Sequence, residues 1–352
     1  MAYRATLKDV AAAAGVSVTT VSLVLNNRPA RVSEEKRKAI ADAAKKLNYV
    51  PNQSARSLVT KQSQLVALIV PDIENLFFAA LAKCVEDECA AQGYSLIVAN
   101  SDDSRVTEHE LLQRLPARGV DGVMLIPARE SCAGDAAERL REDVALVSCP
   151  VVLIDRLTQC GWCDAVGFDN YLGGRLAARY LLEGGHTRIG IVTGDTAESS
   201  AAERRRGFVD AVEQAGECFD SSLCVEGDYR FGSGYRAADQ IIDGGATAVF
   251  CCNDVMALGF RQRMAERGLR VTEDMQVIGY DNILKRFGLG WRMTTVEQSV
   301  ADLAAACWGM LRERIDVAVR AKSGTESGDA RPWLSNPQVE VLTPKLVQAA
   351  CA

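Results

Sequence analysis

Histidine is nearly missing from this chain: of 352 residues only His109 and His186 are histidines. Two imidazoles far apart in sequence all but exclude histidine metal sites and leave few general bases. Long apolar runs are missing as well. None approaches the roughly 20 residues of a membrane span. The start, Met1-Ala2-Tyr3-Arg4, turns amphipathic without the apolar core of a secretory signal, so a cytoplasmic location and no membrane partner are expected. No GxGxxG follows the apolar run 65–70 and no P-loop occurs, which argues against a nucleotide-using enzyme. No enzyme, cofactor or metal is expected. Cysteine, by contrast, is plentiful at 12 residues, but a reducing compartment gives no reason to expect disulfides. Cys160-Gly161-Trp162-Cys163 has the form of half a zinc site, yet no second CxxC completes it. Its polar surroundings between apolar runs read as a loop with neutral cysteines.

The chain is 48% hydrophobic and 24% charged, an ordinary globular composition, and its length suits two or three domains. Its charge is uneven. Residues 1–64 carry 11 Lys and Arg against 4 Asp and Glu, and the remainder carries 29 against 42. A basic head on an acidic body suggests a polyanion-binding module attached to something else; a solvated basic helix gives the same balance.

Thr6, with Asp9 three residues on, opens a helix through Ala14, and Gly15 breaks it where the chain must turn with positive φ. Ser17 caps a second helix from Val18 to about Leu25, with Val21 and Val24 inward and Val18, Thr19, Ser22 and Asn26 outward. Ser33 caps a third, to about Leu47, whose exposed face carries Lys36, Arg37, Lys38, Lys45 and Lys46. Two short helices around a Gly turn form a helix-turn-helix, in which the second helix enters the major groove.

Thr6-Leu7-Lys8-Asp9-Val10-Ala11, Ala14-Gly15-Val16-Ser17, Thr20-Val21-Ser22, Val24-Leu25-Asn26, Leu47-Asn48-Tyr49-Val50-Pro51-Asn52 and Ala55-Arg56-Ser57-Leu58 resemble the headpiece of the lactose/galactose-repressor (LacI/GalR) family. The resemblance implies a dimeric repressor with a DNA-reading head and a ligand-sensing core. It places Thr6, Leu7, Ser17, Thr20, Ser22, Asn26, Tyr49, Asn52, Ser54 and Ala55 on the DNA side, and Val18 and Thr19 against bases. It makes residues 52–60 a hinge helix that pushes Leu58 into the minor groove, a wedge that unstacks a base step and bends the duplex. Leu23 stands where the family usually has an Arg able to read guanine, so the half-site must differ, because Leu cannot make that bidentate contact.

From Leu65 onward apolar runs alternate with amphipathic stretches. The runs 65–70, 95–99, 122–126, 151–154, 188–192, 248–252 and 276–279 read as buried parallel strands, with helices near 77–92, 106–115, 171–183, 202–214 and 255–267. This is an α/β pattern of two doubly wound, Rossmann-like lobes, and ligands of such sheets bind beyond the carboxyl ends of the strands. Those ends read Pro71-Asp72, Asn100-Ser101-Asp102, Asp155-Arg156, Asn253-Asp254 and Tyr280-Asp281-Asn282, suited to a polyhydroxylated solute, although Asp and Asn after a strand also serve as helix caps.

Further motifs, among them Pro71-Asp72-Ile73-Glu74-Asn75-Leu76-Phe77-Phe78, Gly167-Phe168-Asp169-Asn170, Arg204 to Phe208, Asn253 to Ala257, Val277 to Asn282 and Thr294 to Gln298, resemble the family's periplasmic-binding-protein-like core. The resemblance implies an effector site of Asp72, Asn75, Phe77, Phe78, Asp155, Arg156, Phe168, Arg204, Tyr229, Asn253, Asp254, Asp281 and Gln298. It selects Arg204 from Arg204-Arg205-Arg206, since consecutive helical residues point about 100° apart, and pairs it with Asp281 on one ligand; an Arg204–Asp281 salt bridge is the alternative. Leu76 replaces a usual Pro, and Trp291-Arg292-Met293 a usual Pro-Leu stretch.

The organisation expected is a helix-turn-helix headpiece over 1–50, a hinge over 51–63, an N-terminal lobe of 64–166 plus 296–328, and a C-terminal lobe of 167–295 plus 329–346, with 339–342 as a final strand. The expected function is a repressor of operator DNA switched by a sugar-like effector. A plain sugar-binding protein and a nucleobase-sensing regulator are the alternatives. No terminal heptad helix follows, so a homodimer is expected. If the head binds phosphates, a dimer neutralising roughly 6–10 of them should lose about 10³–10⁵ in affinity for duplex DNA between about 50 and 200 mM salt. Filter binding across that range measures it, and a flat response would exclude a nucleic-acid function.

Overall fold

Val10, Ala11, Val21, Ile40, Ala43 and Ala44 are buried together, and that small core organises the first three helices, α1 (Leu7–Ala14), α2 (Val18–Leu25) and α3 (Glu34–Lys46). The Thr6 N–H and hydroxyl both donate to the Asp9 carboxylate at 2.7 Å, which fixes the start of α1. Gly15 adopts φ +64°, the left-handed conformation that lets the chain leave α1 at once. Helices α1 and α2 then meet at 103°, within the range of a helix-turn-helix. The computed structural model describes residues 5–25, 29, 31–49, 62–157, 161–196, 199–289, 293–322 and 331–349. The expected hinge helix, with Asn52, Ser54, Ala55 and Leu58, lies outside them, as do Asn26 and Cys160. The chain divides into two units, 1–63 and 64–352.

The larger unit alternates strands and helices. Its first sheet has the order β11-β5-β4-β3-β1-β2, with β1 (Leu65–Val70), β2 (Ser95–Asn100), β3 (Gly122–Leu125), β4 (Val151–Ile154), β5 (Asp164–Phe168) and β11 (Val339–Leu342) all parallel. Helices α4 (Leu76–Ala91), α5 (Arg105–Ala117), α6 (Gly134–Leu146) and α11 (Val300–Lys322) belong to this lobe. The fully buried Trp308 of α11 meets Tyr94 edge-on at 5.1 Å. The second sheet runs β12-β10-β9-β8-β6-β7, built from β6 (Ile189–Thr193), β7 (Cys224–Glu226), β8 (Ala248–Cys251), β9 (Gln276–Asp281), β10 (Thr295–Glu297) and antiparallel β12 (Lys345–Val347). Its helices are α7 (Asn170–Glu183), α8 (Ser199–Gln214), α9 (Phe231–Asp243) and α10 (Asp254–Glu266). The chain passes between lobes three times, after β5, after β10 and between β11 and β12.

The expected boundary at 166/167 falls inside β5 of the N-terminal lobe, and two further lobe assignments require correction. The final strand, expected in the C-terminal lobe, pairs with β5 of the N-terminal lobe, Val339 opposite Ala165. Residues 295–297, at the expected boundary, belong to the second sheet. The physical reason for the final strand's placement is a long-range ion pair. Arg314 of α11 grips the buried Asp164 with two nitrogens at 2.6 and 2.8 Å. It also donates to the Ser335 and Asn336 carbonyls at 3.0 and 2.8 Å, while the Gln338 N–H donates to Asp164 at 2.8 Å. A buried carboxylate is tolerated when so partnered, and these partners deliver the terminal segment to β5. Cys163 is buried, its thiol donating to the Val151 carbonyl at 3.3 Å, as a neutral structural cysteine does.

Helices α7 and α8 pack backbone against backbone through glycine. A Cβ on Gly174 would stand 2.0 Å from the Arg204 carbonyl oxygen, and one on Gly207 2.0 Å from that of Tyr171. Backbone cannot swing aside as a side chain can. Gly174→Ala should therefore cost about 3 kcal/mol or more and lower the melting temperature by roughly 5–10 °C. Scanning calorimetry measures this, and an unchanged transition would show that the helices are not locked here.

Candidate effector cleft and nucleic-acid interface

In the headpiece, α2 is capped by Ser17, whose hydroxyl oxygen accepts from the Thr20 N–H at 3.1 Å and lies 2.8 Å from the Thr20 hydroxyl. Val21 is fully buried, whereas Ser17, Val18 and Thr19 are exposed, Val18 by 40%. An apolar side chain is thus held out at the helix N-terminus beside two exposed hydroxyl residues. Thr20, Ser22 and Leu23 are half-buried at the flank. Leu7 and Tyr49 pack partly against the small core, which leaves only part of each side chain to meet DNA.

In the larger unit, strand ends from both lobes converge on a cavity. The N-terminal lobe supplies Asn75, Phe77 and Phe78 from the start of α4, and Asp155 and Arg156 after β4. The C-terminal lobe supplies Ser200 and Arg204 from α8, Tyr229 before α9, Asn253 before α10 and Asp281 at the end of β9. The free space is about 30 Å³, room for a water or two, so a ring-sized ligand requires the lobes to part or side chains to turn. Three wall residues, Asp155, Tyr229 and Asp281, have left-handed backbones with φ of +65°, +63° and +98°. Such strain in non-glycine residues gathers where geometry serves a ligand.

Arg204 is 5% exposed. Its Nε donates to the Asn170 Oδ1 at 2.7 Å, Nη1 to the Cys252 carbonyl at 2.8 Å and Nη2 to the Gln298 Oε1 at 3.4 Å. Its guanidinium carbon lies 3.9 Å from the Tyr280 ring centre, a cation–π contact. Burial disfavours its charge, but Tyr280, Tyr229, Asp281 and Asp155 outweigh burial, so its pKa is raised. Among the described residues no ion pair joins Arg204 to Asp281; the bonds that hold Arg204 come from elsewhere. The Asp281 carboxyl is pushed far above the usual range by burial, with Arg204 opposing and Asp254 and Asp155 reinforcing.

The wall residues also support one another. Asn75 caps α4, accepting from the Phe77 N–H at 3.0 Å, and Phe77 and Phe78 meet edge-on at 5.7 Å. Asn253 caps α10 through the Met256 N–H at 2.8 Å and donates to the Tyr229 carbonyl at 2.9 Å. Arg156 donates to Asp103 at 2.5 Å and to the Pro127 carbonyl at 2.9 Å. The cap role and the cavity role are thus compatible in one side chain.

Four expected site residues lie off the cavity wall. Phe168 is packed in the N-terminal lobe core. Gln298, 1% exposed, reaches Arg204, and its Nε2 donates to Asn170 at 3.1 Å. Asp72 lies nearer the surface, paired with Arg230 at 2.6 Å. Asp254 accepts from the Thr295 hydroxyl at 2.7 Å and the Ile283 N–H at 2.8 Å. Strand-end position gives the level of a residue but not its direction, so these four stand off the inner wall, Asp72 lining the outer part of the cleft instead. Ser200 was missed; it stands one helical turn before Arg204, an i,i+4 relation that puts both on one face.

Burial pushes the Asp254 carboxyl up to about 6, against the pull of the Thr295 hydroxyl and the Ile283 N–H. The folded chain therefore holds a proton that the unfolded chain has lost above about pH 4. Stability should fall as pH rises from about 4 to about 6, by about 3 kcal/mol at most from this group. Asp254→Asn should reduce the slope in melting temperatures measured from pH 4 to 7, leaving the part that the raised Asp281 and Glu108 carboxyls contribute. A native slope in the variant would remove Asp254 from the effect.

Residues 6–52 match the family model of bacterial regulatory proteins of the lacI family. Residues 63–310 match the model of periplasmic binding proteins and the sugar binding domain of the LacI family. The chain is 37% identical over 314 residues to an HTH-type transcriptional repressor PurR of Pasteurella multocida (strain Pm70), covering 89% of this chain and 92% of that protein. Among solved structures it is similar to the lac repressor dimer bound to operator and the anti-inducer ONPF, with TM-score 0.80 and 25% identity over 99% of this chain and 100% of that one. It is also similar to the transcriptional regulator CelR in complex with cellobiose, with TM-score 0.68 and 29% identity over 99% and 100%. With the exposed recognition helix and the two-lobed core described above, these matches place the chain in the LacI family, as a ligand-responsive DNA-binding repressor and not an enzyme.

Proposed function

We propose that the effector is a small polar ring compound, a sugar or sugar derivative, held between the lobes by Arg204 and Asp281. The observation that carries this reading is their convergence, from α8 and β9, on one cavity with Asp155 and Arg156 opposite. A guanidinium only donates, whereas a carboxyl kept protonated by burial both donates and accepts, so together they suit neighbouring hydroxyls. The solved regulator complexed with cellobiose supports this class. A nucleobase is the second reading, favoured by the aromatic faces of Phe77, Phe78 and Tyr229 on the same cavity. The repressor acts as a homodimer, a reading supported by the similar lac repressor dimer solved on operator, and in the cytoplasm, where its DNA is. Val18 and Thr19 read base edges, and Leu58 wedges the minor groove.

A hydrogen bond to the Arg204 guanidinium contributes about 1.5–3 kcal/mol, and leaving a buried partner of Asp281 unsatisfied costs about 1–3 kcal/mol, so losing either residue should cost about tenfold in effector affinity. Arg204→Ala and Asp281→Ala should each abolish the effector response while operator binding persists. Operator titrations with and without ribose, cellobiose and hypoxanthine decide it. A normal response in a folded Arg204→Ala protein would remove Arg204 from the site, and loss of operator binding together with stability would make its role structural.

A further inference from the structure

Outside the inner cavity lies a larger one of about 440 Å³ at the cleft mouth, more than ten times the inner free space of about 30 Å³. The two share Asn75, Phe78, Arg156 and Tyr229 as a common wall, so a group attached to an inner ring emerges directly into the mouth. Four carboxylates, Asp72, Glu74, Asp103 and Asp228, line it against two guanidiniums, Arg156 and Arg230. Both guanidiniums are already engaged by those acids: Arg156 with Asp103 at 2.5 Å, and Arg230 with Asp72 at 2.6 Å and Glu74 at 2.9 Å. A phosphate entering here would meet an acidic excess and would have to displace carboxylates from both cations. A hydroxyl-rich group meets the opposite situation, because carboxylates accept its hydrogen bonds. Phe231, 39% exposed at the rim, and Phe78 offer apolar faces to the C–H side of a sugar.

We propose that the mouth is a second effector subsite, which takes an uncharged polyhydroxyl group attached to the ring held in the inner cavity and rejects a phosphate. The effector is then a two-part molecule, a nucleoside or a disaccharide in chemical class, and not its phosphorylated form. This rests on the reading that the inner cavity holds a ring.

Calorimetry on the full chain at low ionic strength, where exposed charges are least screened, with two matched probe series tests it. One series is hypoxanthine, inosine and inosine 5′-monophosphate; the other is glucose, cellobiose and cellobiose 6′-phosphate. In the series that binds, the two-part compound should bind at least tenfold tighter than the single ring, and its phosphate at least tenfold weaker than the unphosphorylated parent. Glu74→Gln, which removes one mouth carboxylate, should raise the ratio of phosphorylated to unphosphorylated affinity several-fold. A single ring that binds as tightly as its two-part relative overturns the subsite while leaving the inner-ring reading in place. A phosphate that binds as tightly as its parent, or a Glu74→Gln ratio equal to the native one, overturns the charge selection. If none of the six compounds binds, the inner-ring reading fails and the subsite with it.

Discussion

A guanidinium withdrawn from water must find its hydrogen bonds inside the protein, and the place where Arg204 finds them ties the effector cleft to the crossovers. Its Asn170 partner is the first residue of α7, reached as the chain leaves β5 of the N-terminal lobe. Its Gln298 partner lies just beyond β10, where the chain returns to α11. Gln298 also donates to Asn170, and the Tyr280 hydroxyl lies 3.3 Å from each. Two of the three interlobe passages therefore converge on one buried side chain that also faces the cavity. A ligand that moves Arg204 must disturb the passages, and a change in lobe angle must move Arg204. Such mutual dependence is what coupling between ligand and conformation requires.

Around that anchor the structure tolerates strain. Left-handed backbone at a non-glycine residue costs about 1–3 kcal/mol, and three cavity residues adopt it. Each is held by a neighbouring backbone or cap contact. The Asp155 N–H donates to the Val166 carbonyl at 2.9 Å, Asn253 holds the Tyr229 carbonyl, and Asp281 pairs with Glu297 in the β9–β10 register. The glycine contacts between α7 and α8 act in the same direction, since they leave α8, and Arg204 upon it, no room to slide.

Much of this was legible in the sequence, for identifiable reasons. Buried parallel strands are continuous apolar runs, so β1, β3, β4 and β8 declare themselves, and the headpiece helices are bounded by Thr6, Gly15, Ser17 and Ser33, whose effects are local. What could not be read is non-local. Strand β5 begins with Asp164, a poor strand residue until Arg314, 150 positions away, neutralises it. The lobe of β11 is set by that same contact, not by its own period. At the cleft the sequence indicates which residues stand at strand ends, and the fold decides their direction. Asp281 and Asn253 turn toward the cavity, whereas Asp254, the next residue after Asn253, turns away to hold Ile283 and Thr295.

The rim of the cleft is held far more lightly than its interior. Arg230 with Asp72 and Glu74, and Arg129 with Asp195, link the lobes through side chains 30–74% exposed. Exposed ion pairs contribute about 0–1 kcal/mol each, so these links together amount to no more than a few kcal/mol. Allosteric coupling energies are typically about 1–3 kcal/mol, the same size. A rigid interior that transmits displacement, closed by a rim weak enough for one small ligand to outweigh, is the arrangement a two-state sensor needs. A rim as strong as the Arg204 cluster would leave the lobes fixed whatever the cleft contained, and with no rim contacts the bound and free states would differ by the ligand's own bonds alone.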